Sequence, residues 1–134
     1  MNLGLIGLGR MGANMARRLA RAGTRVTAFD PSADARTALD DEDGVATVDS
    51  IAALLAALPA PRVVWVMVPA GGITQKVVDE LTPRLQRGDI VIDGGNAYYK
   101  DTLRRAKSRD PAAALAYLLA ADRVIQVDEF LPKE

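Results

Sequence analysis

Gly7-Leu8-Gly9-Arg10-Met11-Gly12 is the stretch that decides how this chain folds. It lies between an apolar run, Leu3-Gly4-Leu5-Ile6, and a stretch with helical spacing, Ala13-Asn14-Met15-Ala16-Arg17-Arg18-Leu19-Ala20. Three spaced glycines alone are a weak signal. Set between a strand and a helix, they form a dinucleotide-binding fingerprint. The first glycine permits a tight turn, the second lets the backbone approach a pyrophosphate, and the third lets the helix pack close to the strand. The helix N-terminus then offers free N–H groups and a partial positive charge to the phosphates. Gly7, Leu8, Gly9, Arg10, Met11 and Gly12 are therefore candidate pyrophosphate-binding residues.

The next strand reads Thr24-Arg25-Val26-Thr27-Ala28-Phe29 and ends in Asp30, which is 30 − 7 = 23 positions past the first glycine. The fingerprint expects an acid about 20 residues on, to accept hydrogen bonds from the adenosine ribose hydroxyls. A carboxylate there repels the 2′-phosphate of NADP. Ordinary turn glycines followed by a loop acid are the weaker reading, because strand, glycines, helix, strand and acid all agree in order.

Composition narrows the classes. The chain has 134 residues, enough for one domain with a core, and Lys+Arg and Asp+Glu balance at 17 each. No charge excess points to nucleic acid or an anionic membrane. The basic clusters Arg17-Arg18-Arg21 and Arg104-Arg105-Lys107-Arg109 read as solvated helix faces. With no cysteine and no histidine, a disulfide framework, a thiolate metal site and the commonest general base are excluded. No metal site is expected. No apolar run reaches the roughly 18 residues of a membrane span, and Met1 leads straight into the first strand. A soluble, cytoplasmic protein is the expectation.

Strands and helices alternate along the chain. Strands are expected at Asn2–Ile6, Arg25–Phe29, Val45–Val48, Arg62–Val68 and Asp89–Asp93. Helices are expected at Arg10–Ala22 (terminated by Gly23), Pro31–Leu39, through Ile51–Leu55 with Asp49 or Ser50 as cap, and Gly72–Leu85 with Ile73, Val77, Val78 and Leu81 facing inward. A further helix is expected from near Tyr98 to Arg109. This alternation predicts an α/β fold, a Rossmann-like doubly wound parallel sheet in a single domain. Ligands in such sheets bind beyond the carboxyl ends of the strands. The glycine loop, Asp30, Val68-Pro69-Ala70-Gly71 and Gly94-Gly95-Asn96 all fall at such ends, which predicts one shared cleft. Asn96 carries both a donor and an acceptor. On spacing alone, ligand binding and a plain turn with Asn96 as a helix cap remain level alternatives.

At these residues the chain resembles the N-terminal coenzyme domain of the 6-phosphogluconate dehydrogenase (decarboxylating) family. The resemblance rests on Gly7-Leu8-Gly9-Arg10-Met11-Gly12-Ala13-Asn14-Met15, Val66-Met67-Val68-Pro69-Ala70-Gly71, and Asp93-Gly94-Gly95-Asn96 with Tyr98-Tyr99-Lys100-Asp101-Thr102. Gly94-Gly95-Asn96 discriminates, since hydroxyisobutyrate-type relatives carry an Asp-x-Ser-Thr pattern there. The resemblance implies that Gly7 to Gly12 hold the pyrophosphate. It implies that Val68, Pro69 and Ala70 line the nicotinamide side, and that Asn96 touches both coenzyme and a sugar phosphate. Many NADP-using members end the second strand with Asn-Arg-Thr. Here Asp30-Pro31-Ser32 stands in its place, which implies NAD as cofactor, with NADP left open by Arg36 one helical turn on.

The resemblance runs from Met1 to about Lys107, giving a dinucleotide-binding domain over 1–107. Residues 108–134 read as a divergent helix, Asp110–Ala121, plus a candidate edge strand, Asp122–Asp128, completing the same domain. The family's catalytic lysine and glutamate come from an all-helical region that has no counterpart here. Lys76, Lys100 and Lys107 read as surface lysines, so no catalytic residue is assigned. A shortened gene, a frameshifted end and an isolated piece fit equally.

The expected function is that of an NAD(P)-binding domain of an oxidoreductase for oxidative decarboxylation of 6-phosphogluconate in the pentose phosphate pathway, inactive alone. The alternative is a non-catalytic dinucleotide-binding module or partner subunit. A hydroxyacid dehydrogenase of another substrate class is disfavoured by Gly94-Gly95-Asn96. If the helix over Pro111–Ala121 leaves part of the sheet uncovered, the exposed apolar patch favours a homodimer.

Overall fold

The computed structural model describes residues 1–69, 72–94 and 117–119. Six strands and four helices alternate: β1 Asn2–Ile6, α1 Arg10–Arg21, β2 Arg25–Phe29, α2 Ala33–Thr37, β3 Val45–Val48, α3 Ile51–Ala57, β4 Val63–Val66, α4 Gly72–Leu81, β5 Ile90–Asp93 and β6 Tyr117–Leu119. The sheet order is β3-β2-β1-β4-β5-β6 and every pairing is parallel. Strand order reverses between β1 and β4. That switch point opens a crevice at their carboxyl ends, where α/β sheets bind ligands.

Two apolar layers hold the sheet. On one face, Leu5, Val26 and Ala28 pack with Leu8, Ala16 and Leu39. On the other, Ile6, Val64, Val66 and Val91 pack with Ile51, Leu54 and Leu55 from α3 and Val78 and Leu81 from α4. Alternate residues of β1 and β4 thus serve opposite layers, as the two-residue period of a strand requires. A Cβ on Gly4 would meet the side-chain tips of Leu58 and Leu54 at 2.7 and 2.8 Å, so a larger residue there needs both leucines to shift.

Local chemistry sets the boundaries. α1 ends at Arg21, one residue before the expected end. Gly23 follows at φ +94, with its N–H on Ala20 O at 2.9 Å and the Thr24 N–H on Leu19 O at 3.0 Å. These two bonds satisfy the last carbonyls in a Schellman arrangement. α2 is shorter than expected. Ser32 caps it, its hydroxyl accepting the Ala35 N–H at 3.3 Å, so Pro31 precedes the helix. Ser50, not Asp49, caps α3, accepting the Ala53 N–H at 3.0 Å. α4 stops at Leu81 and gives way to a single 3-10 turn over Thr82–Arg84. Pro83 has no N–H to continue the α pattern.

Two expectations are corrected. Ile73 is 52% exposed, whereas Thr74 is fully buried, so α4 turns its polar threonine inward. The alanine-rich segment is not helical throughout. Tyr117–Leu119 is β6, pairing in parallel with Val91–Asp93. The sixth-strand position is therefore filled by these residues, and the expected edge strand Asp122–Asp128 lies outside the described residues. Helix propensity is a weak preference, and the unpaired N–H and C=O groups along the edge of β5 override it. The expected helix from Tyr98 to Arg109 lies outside the described residues.

At the amino end of the sheet, Asp89 is 1% exposed and bonded to Arg62. Its Oδ1 accepts the Arg62 N–H at 2.8 Å, and its Oδ2 accepts the Gln86 N–H at 2.8 Å and Arg62 Nε at 2.9 Å. Burial alone raises the carboxyl pKa. The Arg62 side-chain bonds, the two backbone N–H groups and the arginine charge outweigh it, holding Asp89 below its ordinary value of 3.8. The bond to Arg62 joins the start of β4 to the turn before β5, and explains why β4 begins one residue later than expected. Asp89→Asn is expected to cost about 3 kcal/mol, the usual range for breaking a buried pair. Because the folded-state pKa is depressed, this stabilisation is present above the ordinary carboxylate value and lost as pH falls through the folded one. Urea melts from neutral pH down past 3.8 should show the gap between wild type and Asp89→Asn closing on the acid side.

Candidate functional site

The glycine loop leaves β1 and enters α1 at the switch point. Gly7 sits at φ +100, and a Cβ there would lie 2.5 Å from the Met67 carbonyl oxygen. A Cβ on Gly12 would run into the carbonyl oxygen of Gly7. These two glycines are required by the chain itself. Gly9 is different. Its backbone, at φ −63 and ψ −175, suits any residue, it is exposed, and a Cβ would meet nothing within 4 Å. No contact with the described residues requires a glycine there, whereas a ligand lying against the backbone would.

The N-terminus of α1 is left open. Gly9 caps it without any side-chain hydrogen bond, and the first turn has no acidic residue. Ala13 N–H bonds Gly9 O at 2.9 Å, but the N–H groups of Gly9, Arg10, Met11 and Gly12 have no acceptor among the described residues. Four free donors and the helix dipole converge on one point. The Leu8 N–H does not join them, since it donates to Asp30 Oδ2 at 2.8 Å.

Asp30 stands at the carboxyl end of β2, as expected. Its other oxygen, Oδ1, accepts the Ser32 N–H at 2.8 Å. Arg36 reaches back from α2, with Nη1 donating to the carbonyl of Asp30 at 2.7 Å and of Pro31 at 3.3 Å. A cation is thus fixed beside the acid. Arg17 and Arg21 of α1 instead pair with Glu42 in the acidic loop, away from the crevice.

The opposite rim is the segment after β4. Val68 is buried and Pro69 exposed. Thr74, fully buried on α4, donates its hydroxyl to Pro69 O at 2.8 Å and so fixes this rim. The helical pattern gave no hint of this role, because a threonine among apolar neighbours passes as filler. Ala70, Gly71, Gly95 and Asn96 lie outside the described residues. Gly94 is required by packing: a Cβ would strike the Trp65 indole nitrogen and approach Met67 Sδ at 2.6 Å. Its glycine is accounted for without a ligand. Lys76 is exposed on α4. No group of three or more His, Cys, Asp or Glu able to hold a metal occurs among the described residues. No helix among them is long and apolar enough to cross a membrane.

Comparison with known proteins places this geometry. The chain is 43% identical over 118 residues to the NAD(+)-dependent, decarboxylating 6-phosphogluconate dehydrogenase of Haloferax volcanii, covering 88% of this chain and 38% of that one. It is 38% identical over 119 residues to the decarboxylating 6-phosphogluconate dehydrogenase of Bacillus licheniformis, covering 87% and 25%. Among solved structures, Plasmodium falciparum 6-phosphogluconate dehydrogenase, studied with its cofactor NADP+ and its substrate 6-phosphogluconate, superposes with a TM-score of 0.72 at 27% identity, covering 80% of this chain and 24% of that one. The chain thus spans well under half the length of these relatives. The family model for the NAD binding domain of 6-phosphogluconate dehydrogenase matches residues 2–117, ten residues beyond Lys107 and up to the start of β6. On that match this chain belongs to the family of 6-phosphogluconate dehydrogenase NAD-binding domains.

Proposed function

We propose that this chain binds NAD across the β1–β4 crevice as the coenzyme-binding part of an oxidoreductase for oxidative decarboxylation of 6-phosphogluconate, and that it has no turnover alone. The single observation that carries the reading is Gly9, which among the described residues has open space around it and stands beside four unpaired N–H donors. The residues present fit the coenzyme. Gly9, Arg10, Met11 and Gly12 hold the pyrophosphate through backbone N–H groups. Asp30 faces the adenosine ribose, with Pro31 and Ser32 shaping that edge. Val68, Pro69 and Ala70 border the nicotinamide, and Asn96 contacts coenzyme and sugar phosphate. When bound, NAD supplies the hydride acceptor. The chain's own part is to orient that acceptor and exclude water from one side.

NAD is preferred over NADP because the Asp30 carboxylate repels a 2′-phosphate, in keeping with the NAD(+)-dependent relative from Haloferax volcanii. Arg36 is anchored on the carbonyls of Asp30 and Pro31, which leaves NADP as the weaker ligand. Residues 1–107 form the coenzyme-binding part and 108–134 complete its edge, in a cytoplasmic protein. Of the three lysines weighed as bases, Lys76 is exposed on α4, and Lys100 and Lys107 lie outside the described residues. A second reading is a dinucleotide-binding partner subunit or homodimer. Met11 at 73% and Ile73 at 52% exposure favour it, being large apolar side chains at the starts of α1 and α4.

Calorimetric titration is expected to show NAD binding at least about tenfold tighter than NADP, a difference of about 1.4 kcal/mol. Equal or reversed affinities would overturn the role given to Asp30. Mixing the chain with NAD and 6-phosphogluconate is expected to yield no NADH absorbance, and steady NADH formation would refute the lack of turnover. The glycines separate by assay. Gly9→Ala should leave the melting transition within about 0.5 kcal/mol of wild type yet lose most NAD binding. Gly12→Ala should destabilise the fold by more than about 2 kcal/mol.

A further inference from the structure

We propose that Asp30 is a positioning residue for the phosphate-binding loop, acting through the backbone N–H of Leu8, and not solely an acceptor for the ribose. This rests on the dinucleotide reading above. Two consecutive amides of the loop hang on the end of β2: Gly7 N–H on Phe29 O at 2.9 Å, and Leu8 N–H on Asp30 Oδ2 at 2.8 Å. The Leu8 side chain is 5% exposed and packs with Leu5, Ala16, Val26, Ala28 and Leu39. Leu8 is therefore pinned by its side chain in the core and by its amide on the carboxylate. The donors of Gly9, Arg10, Met11 and Gly12 follow directly in the chain, so their aim depends on where Leu8 is held. A hydrogen bond to an ionised carboxylate is stronger than a neutral one, which suits a loop whose first residue sits at positive φ.

The second carboxylate oxygen extends the same control. It accepts the Ser32 N–H, and Ser32 in turn caps α2 through Ala35. One side chain thereby joins the loop, the end of β2 and the start of α2. Asp30 then governs affinity for parts of the coenzyme that it does not touch. Replacing it to admit a 2′-phosphate should weaken both coenzymes and not exchange one for the other.

The test crosses two ligands with the Asp30 variants. The ligands are NAD and an NAD analogue whose adenosine ribose lacks both hydroxyls. If Asp30 positions the loop, Asp30→Ala weakens both ligands by at least about tenfold, because the analogue never used the ribose contact. Loss of NAD affinity with unchanged analogue affinity would overturn the proposal. In the free wild-type protein, amide hydrogen exchange at Leu8 should be slow beside that of Gly9, and in the alanine variant it should rise to the Gly9 rate. Equal exchange at Leu8 and Gly9 in the wild type would also overturn it. Should the alanine variant fail to fold, Asp30→Asn, which keeps an acceptor but no charge, is expected to show the same loss in both ligands to a smaller degree. Loss of NAD affinity alone in that variant counts against the proposal. If the wild type binds neither ligand, the dinucleotide reading fails, and the Leu8 exchange rate still decides the positioning role.

Discussion

The approach of α1 to β1, at the point where Gly12 lies over the carbonyl of Gly7, is the constraint on which the rest of the structure depends. A Cβ at Gly12 would collide with that carbonyl, and one at Gly7 would crowd the Met67 carbonyl at 2.5 Å. Only glycine at both positions lets the helix start directly above the strand that feeds it. That contact sets the direction of α1 and places Ala16 in the same layer as Leu5. It also turns the helix N-terminus toward the crevice between β1 and β4. The packing requirement and the binding geometry are consequences of one close contact.

The two ends of the sheet are held by different chemistry. At the amino end, Arg62 and Asp89 form a buried pair in which backbone and side-chain donors satisfy both carboxylate oxygens. At the carboxyl end, the α1 donors have no partners among the described residues. Leaving four N–H groups unpaired costs stability unless water or an anion meets them. The asymmetry accords with the rule that ligands of open α/β sheets bind outside the carboxyl ends of the strands. Thr74 shows how the two requirements meet, since a wholly buried hydroxyl on α4 serves to hold the Pro69 carbonyl at the rim.

Much of the fold was legible because its signals are local. The strands Asn2–Ile6, Arg25–Phe29 and Val45–Val48 appear with the expected bounds. Each is a short apolar or β-branched run between turn residues, and no distant contact is needed to recognise it. The glycine loop and Asp30 were legible for the same reason. What was not legible depends on contacts across the chain. Ile73 satisfies an apolar period on paper, yet the hydrogen bond from Thr74 to Pro69 settles which neighbour turns inward. Tyr117–Leu119 follows an alanine-rich run that favours helix locally, but a strand there pairs with the edge of β5. Gly94 reads as a ligand-facing glycine until Trp65 and Met67 are seen to occupy the space.

The sequence by itself determined the order of strands and helices through β5, the place of the glycine loop, and the acid that follows the second strand. All three are encoded in short-range patterns of glycine, apolar residues and charge. Tertiary structure alone decided which atoms stand against these glycines. Gly7, Gly12 and Gly94 answer to neighbours in the chain, and Gly9 answers to none among the described residues. It also decided that Asp30, 22 residues from Leu8, holds the loop's backbone in addition to facing the crevice. The physical reason is that a backbone N–H is common to nearly all residue types, so nothing in the letters marks the one a carboxylate will bind. That choice is made when β1 and β2 pair in register and bring the two together.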